Sequence, residues 1–196
     1  MSSNFFDTNN FFIDQKVNYF KFENSYQIYN DKGENIGAVK QKLSTGEKIL
    51  HMLINKKMQP FYLEIQNLNN GVEFTVSRGW TFWMSKIIIN DAHGALIGSI
   101  RQKFAFFRTK FFIFDKSENQ IAEMRGDWKA WDFKITDMND IQLGSINKKW
   151  AGVAKEFFTS ADKYNVTIEP SFSKKENKII LLAGAVAIDM VLKESK

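Results

Sequence analysis

Apolar and polar residues alternate through most of the chain, in short runs broken by clusters of Asp, Asn, Gly and Ser. A period of two is the mark of a strand with one face buried. Four stretches share a layout: YQIYNDKGENIGAVKQK, KIIINDAHGALIGSIRQK, FFIFDKSENQIAEMRGDW and DFKITDMNDIQLGSINKKW. Each joins a β-prone run to a second alternating run through a turn residue, Asn30, Asp91, Asp115 or Asp137, which predicts a hairpin. Seven positions after the turn residue stands Gly37, Gly98, Ala122 or Gly144. A small residue early in the returning strand predicts a bulge, a bend or the close approach of another element. PFYLEIQN, GVEFTVSRGWTFWMSK, KFAFFRTKFFIF and KYNVTIEP are further strand-like runs, the last stopping at Pro170. GEKILHMLINKKM reads as irregular strand, AGVAKEFF as a helical turn or strand, and SFSKKENK as a polar loop. No Pro- or Ser-rich linker divides the chain, so the pattern predicts one mainly β domain of roughly a dozen strands.

The pattern changes after Lys178. Ile179 to Leu192 is a near-continuous apolar run of 14 residues, whereas a helix crossing a bilayer core needs about 20. Asp189 lies inside it and would be costly in lipid. Ile179, Ile180, Leu181, Leu182, Val186, Ile188, Met190 and Val191 cover every side of a helix, and a helix apolar all round is buried on all sides. Ala183, Gly184, Ala185 and Ala187 let surrounding walls approach. The expectation is a core helix over about 178–193, carrying Ile179, Leu182, Val186 and Asp189, inside a closed antiparallel barrel that leaves no strand edge exposed. The pattern alone also fits a central strand or an ordinary capping helix.

Composition changes this picture little. At 44% hydrophobic, the 196 residues suffice for a sizeable core. The net charge of +5 favours anionic surfaces, phospholipid headgroups or nucleic acid, without choosing between them, and ordinary solubility accounts for it as well. There is no Cys, which excludes disulfides, thiolate catalysis and Cys-based metal sites. The two His, His51 and His93, are too few for a His-rich metal site. MSSNFFDTNNFF has no basic segment leading into a long apolar run, so a cytoplasmic location is expected. Its Phe5, Phe6, Phe11, Phe12 and Ile13 suit a segment that docks on the domain or a loose apolar arm. The expected organisation is an N-terminal arm, 1–15, and a barrel domain, 16–196.

DIQLGSINKKWAGVAKEFFTSADKYNVTIEP, a short polar loop and IILLAGAVAIDMVLKE together resemble the C-terminal signature of the phospholipid scramblase family. The matching residues are Leu143, Gly144, Ile146, Lys148, Trp150, Glu156, Phe158, Thr159, Ala161, Asp162, Ile188 and Asp189. YQIYNDKGENIG and IIINDAHGALIGSIRQKF are similar to that family's repeated strands, and the likeness covers about residues 16–194. The family shares a superfamily with the Tubby C-terminal domain and the LURP-one-related proteins. The resemblance implies a Tubby-like barrel of twelve strands closed around a hydrophobic C-terminal helix. It also implies a membrane-associated protein that moves phospholipids between leaflets when calcium rises. The chain departs from the family in its calcium loop: Asp162 is retained, but Ser160 and Ser171 stand where acids are expected. Calcium takes about six to eight oxygens, and Tyr164, Val166 and Ile168 alternate as a strand. Asp162 is thus the single metal candidate, in a degenerate loop, and no cofactor is expected. The family's Pro-rich arm and Cys cluster have no counterpart in this sequence, so thioester lipidation is not expected.

No catalytic constellation or Gly-rich phosphate loop is present, and an enzyme is not expected. Glu123, Asp127 and Asp132 near Trp128 and Trp131 read as hairpin surface charge with aromatic packing. SIRQKFAFFRTKFF carries more information. Arg101, Lys103, Arg108 and Lys110 flank Phe104, Phe106, Phe107, Phe111 and Phe112, a pairing that suits anionic headgroups at a membrane interface. The Tubby side of the superfamily binds phosphoinositides through basic residues, which the resemblance extends to this stretch. It also fits a hairpin of core aromatics and solvated charges. Lys148 and Lys149 beside Trp150 form a second headgroup candidate. Single-stranded nucleic acid uses the same pairing of charge and rings, but no RNA-binding motif accompanies it and nucleic acid is not expected. In RGWTFWM, a ring left exposed would be an interface candidate. The resulting expectation is a scramblase-like protein bound peripherally to an anionic phospholipid surface at the cytoplasmic face. The alternatives are a soluble LURP-one-related-type binding or structural module, and an integral protein anchored by its C-terminal helix.

Overall fold

The computed structural model describes residues 4–16, 25–42, 59–80, 86–103, 109–127, 131–148 and 163–193. Among them twelve antiparallel strands close into a barrel. They are β1 (Asn10–Lys16), β2 (Ser25–Tyr29), β3 (Asn35–Gln41), β4 (Phe61–Asn67), β5 (Val72–Arg78), β6 (Lys86–Asp91), β7 (Leu96–Lys103), β8 (Thr109–Asp115), β9 (Gln120–Asp127), β10 (Asp132–Thr136), β11 (Gln142–Asn147) and β12 (Lys163–Ile168). Helix α1 (Lys175–Lys193) follows. Each strand pairs with its neighbours in sequence, and β1 also pairs with β12, so the sheet has no free edge. This is the Tubby-like arrangement that the resemblance implied.

Five hairpins are built alike. Asn30, Asn67, Asp91, Asp115 and Asp137 each accept, through Oδ1, the backbone N–H groups two and four residues on, at 2.8–3.0 Å. The fourth residue of each loop turns left-handed: Gly33 (φ 77°), Asn70 (58°), Gly94 (84°), Glu118 (64°) and Asp140 (62°). A register shift in the strand pair follows, the bulge that matches such a turn to the sheet's twist. The N–H donors hold the Asp91 and Asp115 carboxyls below the usual carboxylate range, Ala95 and Asn119 contributing most. The loop at Asn67 was not foreseen. Its returning strand carries Phe74 where the other four carry a small residue.

Those small residues mark close approaches. A Cβ at Gly144 would stand 2.5 Å from the Thr167 carbonyl oxygen and 3.0 Å from Cδ1 of Leu181. A Cβ at Gly98 would press on the Phe114 carbonyl and lie 3.5 Å from Cδ1 of Ile180. At Gly37 it would meet the Gln66 carbonyl and the Phe5 ring. Two of the glycines therefore admit α1 and one admits the N-terminal turn.

From Lys178 to Val191 every residue of α1 is buried. The helix occupies the barrel axis among Phe11, Ile28, Phe74, Ile100, Met124, Phe133 and Val166. At mid-helix, a Cβ on Gly184 would lie 2.9 Å from Cε of Met124, so the wall touches the helix backbone there. No helix among the described residues is long and apolar enough to cross a membrane. The helix begins earlier than expected: Lys175, Glu176 and Asn177 are its solvated first turn, not loop. Glu176 there complements the positive end of the helix dipole.

The N-terminal boundary also moves. Residues 10–15, expected in the N-terminal arm, belong to β1, which runs to Lys16 and closes the barrel. Ahead of them Phe5 is 1% exposed and rests edge-on against Phe6. Lys178, itself buried, donates through Nζ to the carbonyls of Phe6 (2.6 Å) and Thr8 (2.9 Å). Burial pushes its ammonium pKa down. GEKILHMLINKKM and AGVAKEFF lie outside the described residues.

Candidate functional site

Because α1 fills the interior, the surfaces left for contact are the outer wall and the two ends of the barrel. Strand alternation sorts the basic-aromatic stretch onto that wall. Ile100, Phe111 and Ile113 point into the core, while Arg101, Lys110, Phe112 and Phe114 are half-buried outside. Both parts of the expectation for this stretch are therefore present: core aromatics within, and cations with interleaved rings without. Arg101 lies over the Phe114 ring, 4.3 Å from its centroid.

The register brings in cations that the sequence reading did not group with these. Lys103 stands opposite Lys110, Lys110 opposite Arg125, and Arg125 opposite Lys134. In the next row Lys86 stands opposite Arg101. Two carboxylates serve them. Glu118 pairs with Arg101 and with Lys86 at 3.1 Å. Glu123 receives both Nε and Nη2 of Arg125, at 2.5 and 2.7 Å, and lies 3.2 Å from Lys110. Hydrogen bonding from Arg125 above all lowers the pKa of the Glu123 carboxyl from its usual range. Asp140 lies 3.7 Å from Arg125. Lys134 is exposed and has no ion pair among the described residues. Asp127 and Asp132 face each other at the flank of the wall.

Lys148 is elsewhere. It follows β11, three strands on from β8, with Nζ 5.2 Å above the Trp131 ring. Trp131, left-handed at φ 49°, stacks on Tyr164 with centroids 5.1 Å apart. This aromatic group leads inward to Asp189. The Tyr26 hydroxyl donates to Oδ2 of Asp189 at 2.7 Å, and the Tyr164 hydroxyl is buried without a hydrogen-bond partner among the described residues. Burial first, then the Asp189 charge, raises the pKa of both phenols, so each stays protonated. Tyr26→Phe would leave Asp189 one donor short in the core. It should cost about 1–3 kcal/mol in denaturant unfolding.

Arg108, Lys149 and Asp162 lie outside the described residues, as do Ser160 and Trp150. Of the degenerate calcium loop, Tyr164, Val166 and Ile168 are in the core and Ser171 is exposed in a 3-10 turn. Among the described residues no three His, Asp or Glu side chains converge as a metal site. Of the rings in RGWTFWM, Trp80 is described and is 47% exposed just past β5.

A family model for Scramblase matches residues 7–195. The chain belongs to the scramblase family. A phospholipid scramblase family protein of Schizosaccharomyces pombe is 22% identical over 184 residues, covering 87% of this chain and 48% of the relative. Altered inheritance rate of mitochondria protein 25 of Saccharomyces cerevisiae is 21% identical, covering 87% of this chain and 64% of its own. Human phospholipid scramblase 2 is 25% identical over 118 residues, 57% of this chain and 39% of its own. This scramblase-family chain spans less than two thirds of the length of each. A solved structure of an Arabidopsis thaliana protein superposes with a TM-score of 0.50 at 9% identity, covering 95% of this chain and 91% of that one. That likeness concerns the fold alone.

Proposed function

We propose that this scramblase-family domain binds phospholipid membranes from the surface, and that any movement of lipid between leaflets proceeds without its C-terminal helix crossing the bilayer. One observation carries the reading. The apolar segment is enclosed on all sides by the barrel, with Ile179, Leu182, Val186 and Asp189 each buried. It cannot serve as the core and as an anchor at once, so lipid contact falls to the outside of the barrel. Arg101 and Lys110, with Phe112 and Phe114 beside them on β8, supply cations and rings of the kind an anionic interface binds. Lys103, Arg108, Lys148 and Lys149 extend the set, and Trp80 is a candidate interfacial ring.

Co-sedimentation with vesicles tests this. At low salt the chain should pellet with anionic vesicles and do so at least about tenfold more weakly with neutral ones, as a few lysines near the surface require. Equal failure with both would leave a LURP-one-related-type binding or structural module in place of the membrane reading.

A further inference from the structure

Like charges directly opposite each other across a strand pair destabilise a sheet. This barrel nevertheless places Lys103, Lys110, Arg125 and Lys134 in one unbroken row across four adjacent strands. Adjacent strands are about 4.8 Å apart, so the row spans roughly 14 Å. Lys86 and Arg101 repeat the pattern in the neighbouring row. Elsewhere the outer wall sets cations beside carboxylates, as in Lys163 with Asp14 at 3.2 Å and Lys42 with Glu64 at 3.4 Å. Four cations on β6–β9, Lys86, Arg101, Lys110 and Arg125, share Glu118 and Glu123, with Asp127, Asp132 and Asp140 at the margin. A locally unfavourable arrangement of this kind is the signature of a functional surface.

We propose that the barrel docks on the membrane side-on, with the β6–β10 wall against an anionic phospholipid leaflet and the Lys103–Lys110–Arg125–Lys134 row on the phosphates. This deepens the surface-binding reading and rests on it. The charges stand on the convex outer wall of a closed barrel and not in a groove, so the surface they match is a broad one. The rings beside the row on β8, Phe112 and Phe114, are half-buried, with Arg101 already over Phe114. Stacking of nucleobases needs ring faces standing free, so a lipid surface fits this wall better than a single strand of nucleic acid.

The test uses the full chain and phosphatidylcholine vesicles with and without phosphatidylserine. The double variant Lys103→Glu with Lys134→Glu reverses the ends of the row and leaves the Glu123 clamp intact. Lys32→Glu with Lys40→Glu makes the same charge change at exposed positions on the β2–β3 side. Each surface cation is worth about fivefold in binding, so the row variant should lose at least ~25-fold on phosphatidylserine vesicles and the control less than ~5-fold. A second readout separates docking from folding. Lys134→Glu alone puts a carboxylate opposite Arg125, and should raise the melting temperature by about 1–3 °C while weakening vesicle binding. Equal losses in the row and control variants, or wild-type binding by the row variant, would overturn side-on docking while leaving surface binding in place. A wild-type chain that pellets with neither vesicle overturns both. A chain whose row binds a single-stranded oligonucleotide in preference to vesicles overturns the lipid assignment.

Discussion

Ending the chain after Lys178 will abolish folding rather than release a more soluble domain. The deleted segment carries Ile179, Ile180, Leu181, Leu182, Val186, Ile188, Met190 and Val191, all buried. Each such side chain contributes about 1.5–3 kcal/mol on burial, so the gross loss is on the order of 10–20 kcal/mol. That exceeds the roughly 5–15 kcal/mol by which a domain is stable. The barrel would also enclose an empty axis, lined on β5, β7 and β9 by Val76, Ile100 and Met124. Far-ultraviolet circular dichroism and a urea titration of the shortened chain should show no cooperative transition. A shortened chain that unfolds cooperatively and needs less detergent than the full one would restore the anchor reading of the helix.

The second large effect is expected at a single small residue. Gly144→Val places a branched side chain where even a Cβ would lie 2.5 Å from the Thr167 carbonyl and 3.0 Å from Leu181. The first contact is with backbone, which yields only if β11 and β12 part. The second is with the core helix. Overpacking of this kind should cost about 2–4 kcal/mol, a fall in melting temperature of roughly 5–15 °C for a chain of this size. The third repeat supplies the comparison. Ala122 occupies the matching position and is accommodated there, so Ala122→Gly should cost only about 1 kcal/mol. If both substitutions shift the transition equally, the close packing of α1 against β11 is wrong.

Much of this fold was legible in the chain because it rests on local rules. Asn30, Asp91, Asp115 and Asp137 announce their loops through their own side chains, which cap the turn whatever surrounds it. Asn67 obeys the same rule and was missed because Phe74 breaks the spacing expected of the returning strand. β1 was missed for a different reason. Phe11, Phe12 and Ile13 are all buried, so the alternation that identifies a half-buried strand is lost where the chain closes the barrel. The polar start of α1 misled in the opposite sense: Lys175 and Glu176 are polar because that turn projects into solvent, not because it is a loop.

The candidate site divides in the same way. Arg101 and Lys110 were visible as members of one hairpin, since neighbours along the chain are neighbours in the sheet. Arg125 and Lys134 were not, because a row across four strands depends on the registers of three successive strand pairs, which their own local sequences do not state. Nor did the chain disclose that Glu118, at the tip of one hairpin, answers two cations on other strands. The sequence alone determined that the C-terminal apolar segment is shorter than a bilayer-spanning helix and apolar on every side, which favoured a core helix over a central strand or a capping helix; the structure places that helix inside the barrel. Only the tertiary structure decided which face carries the charge. Burial is a property of a residue and its period, whereas a charged surface is made by residues far apart in the chain whose alignment is set by the hydrogen-bonded closure of the barrel.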